Sequence, residues 1–441
     1  MRSSTENWVE LTTLLECKGK TTLMKFIVEF ITMQGYLNMF LSCAPNHNAR
    51  KVLSSFTGIE AFTIHKLLKI RPDNYEAEMI FSKSDDDGVS NLEACKILIV
   101  DEISFVDRDL FNILMDEISD RCLIIGLGNR DQLKPIPQVK QVRCPITGLM
   151  KEAEANVGEL SPFFTDERFY QLELTEIKRS NSPVTLIGEA IRLEKMFLPE
   201  RSYVNSDGEG VFVTRRFPDF LQEYFNHVRT PEDFKNNRMV AYTNDDVDIL
   251  NQRIRETIYQ TKDPFVKGEI IVSQEPYIKN LNGSDITVFN NGSYLEIVGF
   301  EEKEEYLHQN GEMEIRKFTL LVYELDVFYE RVNDKVIDFD VLHPDYKESF
   351  KDYVDRYAKY LSKRKQDNQH VDWRPFYELK DGKYIDIKYL PVCTIHKSQG
   401  ITVDNLFYYV DFVKNMSDKD FARRLSYVAV TRARYNTYML Y

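Results

Sequence analysis

Ile97-Leu98-Ile99-Val100-Asp101-Glu102 carries four apolar residues straight into two carboxylates. A short run with no polar alternation reads as a strand buried on both faces, the kind found in parallel sheets covered by helices. Two acids at its end form the arrangement in which Asp101 would hold a magnesium shell and Glu102 would polarise an attacking water. Acidic residues at a strand end are also often merely solvated. Upstream, Gly19-Lys20-Thr21-Thr22 precedes apolar residues at Leu23, Phe26, Ile27 and Phe30, which is helical spacing. A phosphate-binding loop puts its lysine on the β/γ-phosphates and its hydroxyl on magnesium at such a place, with Gly19 and Thr22 beside them. A plain helix N-terminus with an exposed lysine would look the same.

Working outward, Met39 to Cys43 and Leu123 to Leu127 are further apolar runs, and Asn48 to Ser55 and Asp109 to Ile118 have helical spacing. The first part of the chain therefore predicts an α/β lobe of parallel strands and crossover helices, residues 1–66 and 92–182. Its start reads as truncated or degenerate. The stretch 67–91, with Asp85-Asp86-Asp87-Gly88, reads as a small insertion. A second α/β lobe is expected over 183–262 and 389–441, with strands at Met239 to Tyr242, Leu390 to Thr394 and Leu406 to Tyr409. Between its halves, residues 263–388 alternate in Glu269 to Val272, Tyr294 to Val298 and Lys317 to Val327, with Asn291-Gly292 as a turn signal. These predict a small β-barrel, followed by a charged helix over Pro344 to Lys365.

Composition narrows the function classes. The 441 residues are 43% hydrophobic and 29% charged, enough apolar content for two or more folded domains and too much for disorder as the main state. No apolar run is long enough for a membrane span, and Met1 to Glu16 lacks the basic-then-apolar order of a secretory signal, so a cytoplasmic protein without membrane contact is expected. The net charge of −13 argues against coating nucleic acid by bulk electrostatics, while leaving room for a local basic groove. Six cysteines without a C-x-x-C pair predict buried thiols, and seven histidines without ligand spacing make a structural metal improbable.

Three further segments carry chemistry. After the run Cys122 to Leu127 comes Gly128-Asn129-Arg130-Asp131-Gln132-Leu133-Lys134-Pro135, where Gln132 can sense a γ-phosphate and pass that state to neighbouring loops. An ordinary turn also uses Gly, Asn and Pro. Arg179 and Arg432 lie far apart in sequence but could converge on one phosphate cleft, since guanidinium forks stabilise charge on a transferring phosphoryl group. Surface ion pairs are the blander reading for both. Thr394-Ile395-His396-Lys397-Ser398-Gln399-Gly400-Ile401-Thr402 offers hydroxyls, an imidazole, an amine and backbone amides, which suits phosphate contacts to a nucleic-acid strand and, at Gly400, to a nucleotide pocket.

Read in order, these segments resemble superfamily 1 helicases of the RecD-like 5′-to-3′ branch, and within it the Dda-like helicases of tailed phages. Ala44-Pro45-Asn46-His47-Asn48-Ala49, Thr63-Ile64-His65, Ser161-Pro162-Phe163-Phe164, Ala241-Tyr242-Thr243-Asn244 and Phe289-Asn290-Asn291-Gly292 extend the match from about Gly19 to the last residue. The resemblance implies two RecA-like P-loop domains with ATP between them, a pin insertion in the first and an SH3-like β-barrel in the second. It implies an ATP-hydrolysing DNA helicase using Mg2+, moving on single-stranded DNA, opening forked duplex in phage replication or recombination, and working as a monomer in the host cytoplasm. Single-strand-binding or replisome proteins are the partners it suggests. Lys20, Glu102, Gln132, Arg179 and Arg432 would be catalytic, with Thr21 and Asp101 on magnesium. Pro45, His47, Thr63, His65, Thr243, Asn244, Thr394, His396 and Lys397 would lie on the DNA path. Phe81 falls where these helicases carry an aromatic pin, and Trp373, Phe376 and Tyr377 match an aromatic segment near the barrel. Base stacking is the functional reading of these rings and core packing the alternative.

Two departures stand out. The family's phosphate loop reads G-x-x-x-x-G-K-T, but Leu14 takes the first glycine position and Glu16 and Cys17 replace small residues; the helix with an adenine-reading glutamine upstream of it is not found, the first glutamine being Gln34. Asn129 stands where the family has Asp. Loss confined to the extreme start suggests a truncated or frame-shifted beginning rather than selective loss of turnover. The rival expectation is a single-stranded nucleic-acid binding protein with impaired ATPase activity. A P-loop kinase is a weaker third idea, since it leaves Thr394 to Thr402 unexplained.

Overall fold

The computed structural model describes residues 9–13, 19–68, 70–73, 80–83, 92–135, 139–143, 150–154, 159–174, 182–281, 284–308, 313–326, 329–367 and 369–441. Of Gly19 to Thr22, His47, Asn48 and the strands at 9–13, 70–73, 80–83, 139–143 and 150–154, only the backbone belongs to that description. Among the described residues no helix is long and apolar enough to cross a membrane.

The opening strand behaves as its sequence requires. In Ile97–Val100, Leu98 and Val100 face one apolar cluster while Ile99 faces another on the opposite side of the sheet. A strand covered on both faces has no need of polar alternation. It sits inside a parallel sheet ordered Tyr170–Leu174, Val9–Thr13, Leu123–Gly128, Ile97–Val100, Phe40–Ala44, Phe62–Thr63. One face is covered by the helix Gly19–Met33 through Met24, Val28 and Ile31, and the other by Arg108–Glu117, where Phe163 packs edge-on against both Phe111 and Phe169. Because every strand is parallel, the carboxyl ends of Val9–Thr13, Leu123–Gly128, Ile97–Val100 and Phe40–Ala44 all emerge at one edge, where open α/β sheets bind ligands.

The second lobe repeats the plan with strands ordered Tyr203–Val204, Gly210–Thr214, Ala433–Leu440, Val403–Tyr409, Asn237–Ala241, Val392–Thr394, all parallel except the first pair. Between its halves lies an antiparallel sheet ordered Ile337–Leu342, Met313–Leu325, Tyr294–Leu307, Ile270–Ser273, Ile387–Tyr389, joined by the hairpin Tyr277–Leu281/Ser284–Phe289. Its interior is apolar, with Ile271, Leu295, Leu320 and Phe339 among the filling. A buried fork fastens it to the second lobe: Arg255 donates to both carboxylate oxygens of Glu269 at 2.5 and 2.9 Å and lies 4.0 Å over the Tyr389 ring.

Some elements differ from the sequence reading. The segment 67–91 contains a separate antiparallel pair, Ile70–Asp73 with Ile80–Lys83. A second pair, Val139–Arg143 with Met150–Glu154, was not foreseen; its strands are charged and carry no apolar alternation strong enough to show. The charged helix runs Lys347–Gln366 and buries Tyr353, Val354, Tyr357 and Leu361 against the far end of the long hairpin. Phe376 belongs to that same cluster at 5% exposure, and Trp373 packs edge-on against it at 5.4 Å. Core packing therefore accounts for Phe376. Cys43, Cys95, Cys122 and Cys393 are free thiols, while Cys17 and Cys144 lie outside the described residues.

Candidate functional site: an interlobe seam and a cleft lined by both lobes

At the carboxyl edge of the first sheet, Asp101 is buried at 8% exposure and Glu102 turns the chain with φ 51°. A left-handed glutamate costs on the order of 1–2 kcal/mol. Such strain persists where the surroundings over-determine it, commonly at functional positions. Here the turn Ile103–Phe105 is pressed against the neighbouring strand end: a Cβ on Gly128 would meet Cγ1 of Ile103 at 2.5 Å, so only glycine fits. Ser104 Oγ then donates to Gln132 Oε1 at 3.2 Å, linking the acidic turn to the next loop.

That loop is held by the second lobe. Asn129 Nδ2 donates to the Tyr427 hydroxyl at 2.9 Å, Arg424 Nη1 donates to the carbonyls of Arg130 at 2.7 Å and Gln132 at 2.9 Å, and Arg192 reaches Asp131 at 3.2 Å. Leu133, 1% exposed, sits in the second lobe's apolar core beside Val184, Ile187 and Val428. The departure at Asn129 thus has a local role: its amide donates across the seam, which an aspartate could not do. Two residues beyond the helix Lys419–Val430 lies Arg432, 4% exposed, donating to the carbonyl of Val428 at 3.0 Å. Burial pulls its guanidinium down to about 9, which leaves it charged at neutral pH.

Of the other residues expected here, Gly19, Lys20, Thr21 and Thr22 open the helix Gly19–Met33. The side chains of Lys20, Thr21 and Thr22 lie outside the described residues, as do Leu14, Glu16 and the whole of Arg179.

Away from the seam a concavity of about 400 Å³ is lined by both lobes and the barrel. It gathers Pro45, Thr63 and His65 from the first lobe with Asn244, Thr394, His396 and Lys397 from the second. The two lobes approach it in the same way. The strand Phe40–Ala44 leads to Asn46, which caps the helix His47–Thr57; the strand Asn237–Ala241 leads to Thr243, which caps Asn244–Ile258. Each helix presents free backbone N–H groups and the positive end of its dipole, a ready anion site on an acidic chain. Thr63 caps Ile64–Leu67, and Thr394 Oγ1 accepts from the Lys397 amide at 3.3 Å. Burial lowers His65, which Asp107 opposes, and lowers His396, so both imidazoles favour the neutral form. Gly400, φ 79°, follows directly in a conformation that suits glycine.

The cleft also holds residues that sequence reading passed over. Gln399, 8% exposed, has neither amide atom hydrogen-bonded. Arg238 is buried on its strand, donating to the Leu390 carbonyl and the Tyr329 hydroxyl. Nothing local in sequence marks Arg238; Gln399 could have been found from its place between His396 and Gly400. The described lining does not include Trp373, and the side chains of His47 and Phe81 lie outside the described residues.

Comparison with known proteins bears on the family and the fold. Residues 17–138 match an AAA domain and residues 262–389 match the Dda helicase SH3 domain. The ATP-dependent DNA helicase Dda of Enterobacteria phage T4 is 36% identical over 95% of this chain and 91% of its own length. The RecBCD subunit RecD of Buchnera aphidicola is 23% identical over 58% of this chain and 46% of its own. In a solved structure of Pif1 helicases on forked double-stranded DNA, a chain 16% identical superimposes with a TM-score of 0.51, covering 99% of this chain and 88% of that one, which shows the shared fold. Two RecA-like lobes with an SH3-like insertion, and a relative this similar along nearly its whole length, settle the family: the chain belongs to the Dda-like DNA helicases of the RecD-like branch of superfamily 1.

Proposed function

We propose that this chain hydrolyses ATP with magnesium at the interlobe seam and uses the cycle to move 5′ to 3′ on single-stranded DNA, opening forked duplex during phage replication or recombination. In this reading it acts as a monomer in the host cytoplasm beside single-strand-binding or replisome proteins. One observation carries it: the loop 129–134 belongs to the first lobe by sequence but is held by the second, while both lobes line one cleft. A change of contacts at the seam must then shift the two cleft walls relative to each other. The domain limits follow the same division, with motor lobes at 1–66 plus 92–182 and 183–262 plus 389–441, a pin at 67–91 and the barrel at 263–388.

The roles follow from chemistry. Lys20 takes the β/γ-phosphates at the helix N-terminus, and Glu102 orients and deprotonates the attacking water. Gln132, Arg179 and Arg432 surround the γ-phosphoryl group; a guanidinium already desolvated, as at Arg432, interacts strongly with charge developing there. Thr21 and Asp101 supply oxygen donors of the hard type that Mg2+ prefers, and the ion would neutralise charge on the phosphates. On the cleft side, helix N-termini, Thr63, Thr243, Thr394 and Lys397 take backbone phosphates. The unfilled amide of Gln399 gains partners when a strand enters, since a buried unpaired polar group costs about 1–3 kcal/mol. The reading as a strand binder without turnover gains no support from the relatives.

Partial duplexes with a 5′ or a 3′ single-stranded tail, incubated with ATP and Mg2+, test the proposal. Unwinding of the 5′-tailed duplex alone is expected. Unwinding from the 3′ tail alone would reverse the assigned direction, and unwinding of neither, nor of a fork, would defeat the helicase reading.

A further inference from the structure

We infer that Arg424 is a positioning residue for ATP hydrolysis: it fastens the Gln132 loop to the helix that ends beside Arg432 and so sets the spacing between the two γ-phosphate contacts. This rests on the roles proposed above for Gln132 and Arg432. Arg424 lies on Lys419–Val430 with its side chain 9% exposed. One nitrogen, Nη1, bridges the carbonyls of Arg130 and Gln132, and Nε binds Asp420 on its own helix at 3.0 Å. The guanidinium is thereby oriented from behind and grips backbone rather than a side chain that could turn away. Beyond the grip, six helical residues, about 9 Å at the helical rise, lead to Val430, two residues before Arg432. Tyr427, three residues on from Arg424, takes the Asn129 amide, and Leu133 is buried in the second lobe's core. The loop therefore cannot move with the first lobe alone. When the Gln132 side chain, bonded to Ser104 of the first lobe, shifts on phosphate binding or loss, Arg424 carries that shift into the helix that ends two residues before Arg432.

The chemistry of the contact sets the test. Arg424→Met keeps length and apolar contact but has no donor; Arg424→Lys keeps an ammonium that can donate to both carbonyls. For Arg424→Met, kcat of strand-stimulated ATP hydrolysis should fall about 10- to 100-fold, as for a sub-ångström to ångström misplacement of reacting groups. KM for ATP should stay within about twofold, because the residue does not touch the nucleotide. Arg424→Lys should recover at least about half of the lost activation free energy. Thermal unfolding of both variants separates positioning from loss of fold, and Tyr427→Phe, which deletes one hydroxyl, should lower kcat in the same direction. Unchanged kcat in Arg424→Met, or equal loss in both Arg424 variants with KM rising in parallel, overturns the inference. If the unaltered chain shows no strand-stimulated turnover, the functional reading fails and this inference with it; normal stimulation beside an inert substitution defeats only the inference.

Discussion

Replacing Lys397 by methionine should change how salt affects strand binding, whereas the same change at Lys388 should not. Both amines line the cleft, but their partners differ. Lys388 sits 2.6 and 2.7 Å from the two oxygens of Asp248, so its charge is already cancelled. Lys397 bonds the neutral amide of Gln274 and brings its charge into the cleft uncompensated by that partner. Burial pulls the Lys397 amine below its ordinary 10.5, with Asp386 opposing the shift, a cost that a phosphate would relieve. Each phosphate neutralised on a single strand contributes about 0.7 to the slope of log affinity against log salt. Lys397→Met should therefore lower that slope by about 0.7, so that between roughly 50 and 200 mM salt its affinity falls about 2.6-fold less than that of the unaltered chain. Its affinity at the low-salt end should be weaker by on the order of 10-fold, the worth of one charge-assisted contact. Anisotropy of a labelled oligothymidylate, titrated without nucleotide across that salt range, measures both quantities. Equal slope changes for the two lysines, or none for Lys397→Met, would refute the argument from their partners.

Other perturbations have equally definite outcomes. Glu102→Gln should cut strand-stimulated ATP turnover by about 10²- to 10⁴-fold, the usual worth of a general base, while strand binding by anisotropy stays unchanged. Breaking the buried Arg255–Glu269 fork by Glu269→Gln should destabilise the chain by about 3–5 kcal/mol in urea unfolding, and the double change Arg255→Met, Glu269→Leu should cost less than the single one, because it leaves no buried charge behind. Lys51 of the first lobe meets Glu324 of the barrel at 3.3 Å, with Ser293 donating to the same carboxylate at 2.9 Å. A double-mutant cycle on this pair, read by strand dissociation rates, should give a coupling of about 0.5–1 kcal/mol and faster release when it is broken.

Much of the fold was legible because buried parallel strands leave continuous apolar runs. Ile97 to Val100 and Leu123 to Leu127 announced themselves in this way, and the acids and glycine after them marked the sheet edge. In the cleft, Thr394 to Lys397 was legible from its residue types, whereas Pro45, Thr63, His65 and Asn244 were reached only through the family resemblance. What lay hidden depends on partners far apart in the chain. Arg424 and Arg130 are separated by 294 positions, and nothing near either predicts that one grips the other's carbonyl. Leu133 stands out in sequence only as part of Gln132-Leu133-x-Pro135, and nothing near it shows that it completes the core of the opposite lobe. Phe376 could not be sorted between stacking and packing, since an aromatic residue beside charged neighbours looks alike in both settings until its contacts with Tyr357 and Trp373 are seen.

The central claim is that hydrolysis at the seam and strand binding in the cleft are one coupled process. Steady-state ATP turnover of the purified chain, measured with Mg2+ in the absence and presence of saturating single-stranded DNA, tests it most directly. Turnover should rise by at least about 10-fold with the strand, equivalent to a coupling of roughly 1.4 kcal/mol or more on the barrier. Turnover that is indifferent to a strand the chain demonstrably binds would contradict the account.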